Sequence, residues 1–533
     1  MFMWAMSDRA IPRSFRMMQG FGVNTYSLVN KEGKRHFVKF HWTPHLGVHS
    51  LVWDEALKLA GQDPDYHRKD LMEAIDNKAY PKWDLGIQVV AEEDQDKFDF
   101  DILDATKIWP EELVPLQTIG ELELNRNVDE FFTQTEQVAF CTSHIVPGID
   151  FSDDPLLQGR NFSYFDTQIS RLGINWEELP INRPVCPFLN FNRDGAMRHR
   201  ISKGNVNYWP NRYDAHPPAP TTGQNAGFVS HPQPVNGRKR RDLSPKFKEH
   251  HNQAQLFYNS LSEVEKVHVR KALSFELDHC DDPIVYERVA GTRLAELDLP
   301  LAQAVAEMVG APIPQKALRA NHGKKSVRLS QLEFPASKEA GIASRRIAIL
   351  ISDGFDRVAF EGMKAAVSAA GALPFVIGTR RSAIYADGEA KGSGAGVVPD
   401  HQYDGQRSTM FDATFIPGGS HVKALKANGQ LRYWISESFG HLKAIGATGE
   451  AAQLVKEVLG AAVDVQVASG GSGAPVEWYG VVTASGPQKP ESFSEGVRIV
   501  KDAGDFVGKF FYQISQHRNW QRELDGLAAS VAV

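Results

Sequence analysis

The pattern of predicted secondary structure changes near residue 345 of this 533-residue chain. Beyond that point, the apolar segments 345–355 and 373–378 alternate with the segments 356–371 and 433–442, which have helical composition. Buried strands that alternate with helices predict a parallel, doubly wound sheet, because parallel strands need a crossover between them. We therefore expect residues 345–533 to form a separate α/β domain.

The residues before 345 divide into four segments of different composition. Residues 1–173 are β-rich, 174–246 combine Pro, Asn and Gly, 247–312 follow a helical pattern, and 313–344 form a polar linker. The composition of 174–246 predicts a long arm without regular structure, wrapped over another surface. The chain as a whole is expected to be an α+β multi-domain protein.

Within residues 1 to about 150, the sequence predicts three strands and one long helix. Residues 36–42 alternate apolar and polar side chains, as a half-buried strand does. The other strands are predicted at 84–93 and 97–106, and the helix is predicted at 54–76.

The composition excludes several classes of partner. A net charge of −6 gives no general attraction to nucleic acid or to anionic membranes, and there is no apolar run of about 18 residues, so no transmembrane helix is expected. Three cysteines are too few for a disulfide framework, and the N-terminus lacks the basic region of a signal peptide. We expect a soluble protein whose compartment stays unknown, with the cytoplasm favoured.

One predicted helix, residues 156–173, carries cations beside a phenol. Arg160, Tyr164, Gln168 and Arg171 fall within roughly 80° of one another around the helix axis. A cation one turn away stabilises a phenolate, which is a hard anionic ligand suited to ferric iron. The alternative is a surface helix whose tyrosine packs its ring while the arginines are solvated. Spacing alone leaves both interpretations open.

The sequence of this helix, LLQGRNFSYFDTQISRLG, resembles the proximal haem helix of the monofunctional haem catalases, whose pattern is R-x-F-x-Y-x-D-T. Other segments resemble catalases in family order, among them SDRAIPRSFRMMQGFGVNTYSLVN, FVKFHW, DPDYHRKDLMEAI, PINRP, NFNRDGAM and LSEVEKVHVRKALSFELDHCDDPIVYERV. The resemblance covers essentially the whole chain. It implies an antiparallel β-barrel with a wrapping arm and a helical domain. Gln168 and the extra C-terminal domain indicate the large-subunit catalases.

The resemblance implies a role for each side chain near that helix. Tyr164 would be the fifth ligand of the haem iron, and Arg160 would bond its phenolate oxygen. A histidine and an aspartate behind the arginine match His41 and Asp154, whose alternative readings are a strand histidine that faces water and a plain N-cap. Arg171 matches an arginine that binds a haem propionate, since a guanidinium pairs with a carboxylate in bidentate fashion.

A further match concerns a possible modification of the ligand. Cys141 precedes Tyr164 by 23 residues, and some large fungal-type catalases resemble this chain in having a cysteine cross-linked to the ligand tyrosine. An ordinary buried cysteine is an equally weighted alternative. The haem itself is expected to be of b or d type.

The resemblance also implies side chains that this sequence does not supply. Catalases use a distal histidine, which moves a proton between the two peroxide oxygens, and an asparagine that orients peroxide. In family order both come before MWAMSDRAIPRSF (3–15). We therefore expect the chain to lack both, to have an incomplete barrel and to be impaired. A truncated gene model, a fragment or a deliberately shortened protein would all look like this.

The domain at 345–533 resembles the flavodoxin-like fold of the class I glutamine amidotransferases. Enzymes of that fold carry a nucleophilic cysteine on the turn after a strand, and the matching turn here, KAIGATGE, has Gly446 at that position. Without a thiol, no covalent catalysis follows. The turn IPGGS (416–420) is interpreted as a packing turn, with an anion site at the next helix as its alternative.

The resemblance therefore predicts a haem catalase that disproportionates hydrogen peroxide to water and oxygen and protects against oxidative stress. It also implies a homotetramer held together by exchanged arms, for which 174–246 is suited, and neither a nucleic-acid nor a membrane partner. The rival hypothesis is a non-catalytic relative or fragment whose C-terminal domain acts as a stability or chaperone-like module.

Overall fold

A computed structural model describes residues 1–185, 193–196, 198, 200–202, 206–208, 210–212, 230–334, 341–470, 474–486, 499 and 503–531. Of the arm predicted at 174–246, both ends (174–185 and 230–246) and a few short stretches between them are among the described residues.

The N-terminal part contains a curled antiparallel sheet that amounts to half a barrel. Its strands pair in the order β5-β4-β3-β2-β6, and β1 pairs with β3. Their bounds are β1 Gly20–Phe21, β2 Tyr26–Val29, β3 Arg35–Pro44, β4 Lys82–Ala91, β5 Gln117–Glu123 and β6 Ile149–Asp150. The central pair, β3 and β4, stays in register from His36↔Ala91 to Pro44↔Trp83. This confirms the predicted antiparallel architecture.

The helices of this part are α1 Phe2–Ala5, α2 Trp53–Gln62, α3 Tyr66–Asp76 and α4 Pro155–Leu172. The single helix predicted at 54–76 is therefore two helices. Asp63 ends α2 with φ −151° and ψ 92°, which is the extended conformation that a residue before proline prefers, and Pro64 follows it.

The prediction of a strand at 97–106 was wrong, because these residues form turns. Asp101 Oδ1 accepts a hydrogen bond from the Leu103 backbone N at 2.9 Å, and Asp104 Oδ1 accepts one from the Thr106 backbone N at 2.8 Å. Such local side-chain bonds compete with strand pairing. The strand that pairs with β4 at this edge of the sheet is β5, which lies further along the chain.

The helical segment follows with α5 Pro245–Lys248, α6 Asn252–Ser260, α7 Glu263–Asp278, α8 Pro283–Arg288 and α9 Leu299–Val309. A capping box starts α7: the Ser262 backbone N donates to Glu265 Oε2 at 2.8 Å, and the Glu265 backbone N donates to Ser262 Oγ at 3.4 Å. Gly310 ends α9 in the left-handed conformation, with φ 71°.

The C-terminal domain is a sheet covered by helices on both faces. Its strands pair in the order β12-β13-β11-β10-β7-β8-β9, and every pairing is parallel except that of β12 with β13. The strands are β7 Arg346–Ile351, β8 Leu373–Gly378, β9 His401–Gln402, β10 Ala413–Ile416, β11 Ala444–Thr448, β12 Val476–Trp478 and β13 Val481–Ala484. The helices are α10 Arg357–Ala369, α11 Val422–Ala427, α12 Gly429–Gly440, α13 Glu450–Leu459, α14 Phe506–Ser515 and α15 Trp520–Leu524. The predicted doubly wound sheet is confirmed.

The turn after β11 lies three residues beyond the position predicted for it. Gly446 is inside the strand, where a Cβ atom would meet ring atoms of Phe510 at 3.0 Å. The turn is made by Gly449, with φ 54° and ψ −130°, so the assignment of the nucleophile position to Gly446 was wrong. No thiol is present at the true turn either. The neighbouring IPGGS turn already gives the N–H of Gly419 to Glu450 Oε2, at 2.8 Å.

Buried ion pairs join the N-terminal part to the C-terminal domain. Arg13 Nε lies 2.8 Å from Asp412 Oδ1, and both side chains are almost fully buried. Glu55 lies between two cations of the C-terminal domain, Arg518 at 2.9 Å and Lys443 at 2.6 Å. The two parts are therefore connected by charges that water does not reach.

Candidate functional site

Helix α4 presents the tyrosine because its two ends are fixed locally. The Asp154 carboxylate accepts hydrogen bonds from the backbone N of Leu156 at 2.9 Å and of Leu157 at 3.1 Å, which caps the first turn. Pro155 occupies the first helical position. At the other end Gly173 has φ 93°, which a glycine adopts without strain. The predicted helix at 156–173 is confirmed as Pro155–Leu172, one residue earlier at each end.

The phenol of Tyr164 is held by the arginine one turn before it. Arg160 Nη2 donates a hydrogen bond to Tyr164 Oη at 2.6 Å, and the guanidinium carbon lies 4.7 Å from the centre of the phenol ring. The hydrogen bond fixes the phenol oxygen beside the guanidinium. The pair therefore presents an oriented oxygen atom, which is a ligand type that ferric iron takes.

Asn24 connects this arginine to the helix cap. Arg160 Nη1 donates to Asn24 Oδ1, and Asn24 Nδ2 donates to Asp154 Oδ2 at 3.4 Å. The same carboxylate oxygen accepts the backbone N–H of Thr25 at 3.0 Å. Asp154 is fully buried, so these bonds hold it in one orientation. Sequence reasoning missed Asn24, since no periodicity marks a loop residue far from α4 in the chain.

His41 has a different partner from the one that the resemblance assigned to it. Its Nε2 lies 2.9 Å from Gln88 Oε1, on the neighbouring strand. Burial lowers the pKa of His41 to about 4, although the bond to Gln88 raises it, so the ring is neutral at physiological pH. In the described structure, Asn24 and not His41 bonds to Arg160. A role for His41 in the network stays a prediction.

Gln168 and Arg171 tie the end of α4 to the preceding loop. Arg171 donates to Gln168 Oε1 at 2.7 Å and to two backbone oxygens, Glu136 O at 2.8 Å and Val138 O at 2.7 Å. Gln168 Nε2 donates to Phe140 O at 3.3 Å. A carboxylate ligand of Arg171 would have to replace some of these acceptors, so its binding of a propionate stays a prediction.

Cys141 is a free, half-buried thiol in the loop beside α4. Its sulfur lies 3.0 Å from Ser143 Oγ. The intervening Thr142 donates its hydroxyl to Asn161 Oδ1 at 2.9 Å, which anchors this loop to the helix that carries Tyr164. A cross-link between Cys141 and Tyr164 stays a prediction.

Exposed apolar side chains occur on α4 and in the loop before it. Phe162 on α4 is 72% exposed, and Phe140 in the loop that α4 holds is 77% exposed. Phe131, Phe132 and Val146, nearby in the chain, are also exposed. Exposed apolar side chains are typical of surfaces that contact ligands or other proteins, and an iron macrocycle is a flat, largely apolar ligand.

The architecture and this helix define a class of protein: a large haem catalase, with a curled antiparallel sheet, a helical segment and a doubly wound C-terminal domain. Comparison with known families agrees. Residues 1–215 match the family described as catalase, 244–309 match catalase-related immune-responsive, and 343–523 match the C-terminal domain found in long catalases.

The similarity to individual relatives extends over the whole chain. The chain is 80% identical over 532 residues to Catalase A of Emericella nidulans and 77% identical over 534 residues to Catalase A of Aspergillus fumigatus. It is 64% identical over 533 residues to Catalase-1 of Neurospora crassa. Each match covers 100% of this chain and 71% of the relative. The chain therefore belongs to the catalase family, as a large-subunit monofunctional catalase, a family of haem enzymes that act on hydrogen peroxide.

Among the described residues, no helix combines the length and the apolar character needed to cross a bilayer.

Proposed function

We propose that Tyr164 is the fifth ligand of a ferric haem and that Arg160 holds its phenol oxygen in position. The observation that carries this proposal is the 2.6 Å hydrogen bond from Arg160 Nη2 to Tyr164 Oη. Asn24 and the buried Asp154 hold the guanidinium from behind, so its position is fixed before any ligand arrives. The site suits haem of either b or d type.

Bound haem supplies the redox couple that passes electrons from one hydrogen peroxide molecule to another. The chain's own contribution on this side is to position a ligand. Tyr164 Oη would hold the iron, and the hydrogen bond from Arg160 Nη2 orients that oxygen. Arg171 would bind a haem carboxylate in place of a backbone acceptor, and its guanidinium also donates to Gln168 Oε1.

The proton transfer on the opposite, distal face needs a positioned acid-base group, worth about 10²–10⁴-fold in rate. No histidine of the 533 residues matches the family's distal histidine in sequence order. His41 already bonds to Gln88, and His144 Nε2 lies 2.8 Å from Glu177 Oε1. Residues 1–533 by themselves are therefore expected to turn over peroxide slowly, and to assemble into the homotetramer that the resemblance implies.

One observation favours a second role for the C-terminal domain. Its buried ion pairs with the N-terminal part, at Asp412, Lys443 and Arg518, would be lost if that domain were absent. A domain joined in this way holds the N-terminal part in its fold. The alternative function, a non-catalytic relative with a stabilising C-terminal module, rests on these contacts.

The experiment expresses residues 1–533 with haem supplied and measures Soret absorbance and oxygen evolution per haem. Tyr164→Phe should lose most of the bound haem. The matched control is Tyr26→Phe, which removes a nearby phenol whose Oη donates to Thr142 O at 2.9 Å and should keep the haem.

A chain extended at its N-terminus to carry the family's distal histidine should evolve oxygen at least about 10²-fold faster per haem. Equal rates would contradict the proposal that residues 1–533 lack the distal acid-base group. Haem binding that is insensitive to Tyr164→Phe would contradict the ligand assignment.

A further inference from the structure

Two imidazole rings face each other where the N-terminal part meets the C-terminal domain. His49 lies in the loop after β3, and His517 lies just after α14. Their ring centres are 4.7 Å apart, and the ring planes are inclined by 35°. His517 Nε2 also lies 2.5 Å from the backbone oxygen of Ser50, so the contact joins the two parts of the chain. His49 and His517 are called the histidine pair here.

The hydrogen bonds of His517 require its ring to be neutral. A backbone carbonyl can only accept, so the Nε2 atom beside Ser50 O carries a proton and donates it. His517 Nδ1 lies 3.0 Å from Arg345 Nη1, and a guanidinium can only donate. Nδ1 must therefore accept. A proton added to Nδ1 would set two donors against each other and break the bond to Arg345.

The ring of His49 has no group beside it that would accept a second proton. Its Nε2 atom is shielded from solvent and has no hydrogen bond among the described residues. Burial lowers the pKa of both histidines well below the ordinary value, and the charges of Arg345 and Arg518 lower it further. The charge of a protonated ring would therefore stand beside cations and away from water.

The anions near the histidine pair are already held by arginines. Asp412 Oδ1 lies 2.8 Å from Arg13 Nε and 3.6 Å from Arg345 Nη1, and Glu55 lies 2.9 Å from Arg518. Burial raises the pKa of each carboxyl, but these cations outweigh it and hold the pKa well below its ordinary range. The carboxylates therefore stay charged between pH 5 and pH 7, roughly the interval in which an exposed imidazole takes up a proton.

The backbone of His517 gives independent support for a specific role of its side chain. Its φ of 66° is in the left-handed region, where a residue just past a helix is usually Gly or Asn. A side chain that is kept in such a conformation must be held there by its contacts. For His517 these are the bonds to Ser50 and Arg345.

We propose that the histidine pair is an acid-sensitive contact, and that its protonation releases the segment 516–520 of the C-terminal domain from the loop that carries His49. An exposed imidazole has a pKa of about 6.5, whereas the paired rings stay neutral well below that pH. The released state therefore binds more protons, so the contact is at full strength above about pH 6.5 and weakens as the pH falls. From pH 7 to pH 5 the released fraction should rise about 25-fold if one histidine is protonated on release and about 600-fold if both are.

The test measures amide hydrogen exchange of the full 533-residue chain at pH 7 and pH 5, expressed as protection factors so that the intrinsic effect of pH on exchange is removed. Peptides that contain His49 or His517 should lose protection about 600-fold in acid, while α13 keeps its protection. His49→Gln or His517→Gln should each reduce the loss to about 25-fold, and the double variant should abolish it, because glutamine takes up no proton.

The matched control is His421→Gln. His421 is another buried imidazole, but its Nε2 lies 2.8 Å from Pro417 O, within the C-terminal domain, so this variant should leave the acid-induced loss at the histidine pair unchanged. Equal protection at both pH values in the unaltered chain would overturn the proposal. So would a loss that extends equally to α13, which would mean general acid unfolding, or a loss that persists in the double variant.

Discussion

Glu55→Gln tests whether buried charge couples the N-terminal part to the C-terminal domain. The carboxylate is fully buried, 2.9 Å from Arg518 Nη2 and 2.6 Å from Lys443 Nζ. Burial alone would raise the pKa of Glu55, but the two cations outweigh it and hold that pKa well below its ordinary range. Glutamine keeps the shape and removes the charge, so two buried cations lose their carboxylate.

The expected loss is large. Removing one partner of a buried ion pair typically costs about 3–5 kcal/mol, which is a sizeable part of the roughly 5–15 kcal/mol that stabilises a native fold. Lys443 sets the pH dependence, since burial lowers its pKa to about 8 even though Glu55 raises it. At higher pH Lys443 is neutral in the unaltered chain as well. The loss should therefore be smaller at about pH 9 than at about pH 7.

The assay is urea unfolding followed by tryptophan fluorescence, with limited proteolysis to report which part opens first. The matched control is Glu457→Gln, which breaks a 2.5 Å pair with Lys426 at the surface of the same domain and should cost far less than Glu55→Gln does, because water screens an exposed pair. Adding Lys443→Met to Glu55→Gln should recover part of the stability, because it removes one uncompensated cation. Equal losses for Glu55→Gln and Glu457→Gln would refute the reasoning.

Four further outcomes are expected. Arg160→Ala should weaken haem binding less than Tyr164→Phe does, as a haem titration will show, because it supports the ligand without being one. Asn24→Ala frees the Arg160 guanidinium and should weaken haem binding by roughly tenfold or less. A haem affinity as low as that of Tyr164→Phe would argue against a merely supporting role for Asn24. If Cys141 is bonded to Tyr164 after turnover, a tryptic digest should contain a joined peptide that survives reduction, and full yields of both free peptides would exclude it.

The fourth prediction concerns the imidazole of His268. Burial lowers its pKa, but the hydrogen bonds to Asp8 and Glu523 outweigh burial and raise that pKa to about 10. Its stabilisation is complete below its unfolded pKa of about 6.5 and is lost as the pH rises through about 10. The difference in unfolding free energy between the unaltered chain and His268→Gln should therefore shrink over that interval, and a constant difference would contradict the ion pairing.

The sequence predicts the elements whose signals are local. Helix α4 is one, since Asp154, Pro155 and Gly173 all act within a turn of its ends. The alternation of strands and helices after residue 345 similarly indicates the doubly wound sheet. The residue at which an element ends is harder to predict than the element itself. The turn after β11 was predicted at Gly446, because a run of small residues does not show where the strand ends.

The contacts that build the site cannot be predicted in this way. Asn24 reaches Arg160 and Asp154 only because β2 and β6 pair, which brings distant segments together. The turns at 97–106 form because Asp101 and Asp104 bond their own backbone, a choice that an alternating apolar pattern does not reveal.

The most direct test of the central claim is the resonance Raman spectrum of the haem-loaded chain, with tyrosine labelled isotopically. If Tyr164 is the ligand, the spectrum should contain vibrations of an iron-bound phenolate that shift with the label. These bands should persist in Tyr26→Phe and disappear in Tyr164→Phe. Phenolate bands that remain after Tyr164→Phe, or a haem-loaded chain without any, would contradict the account.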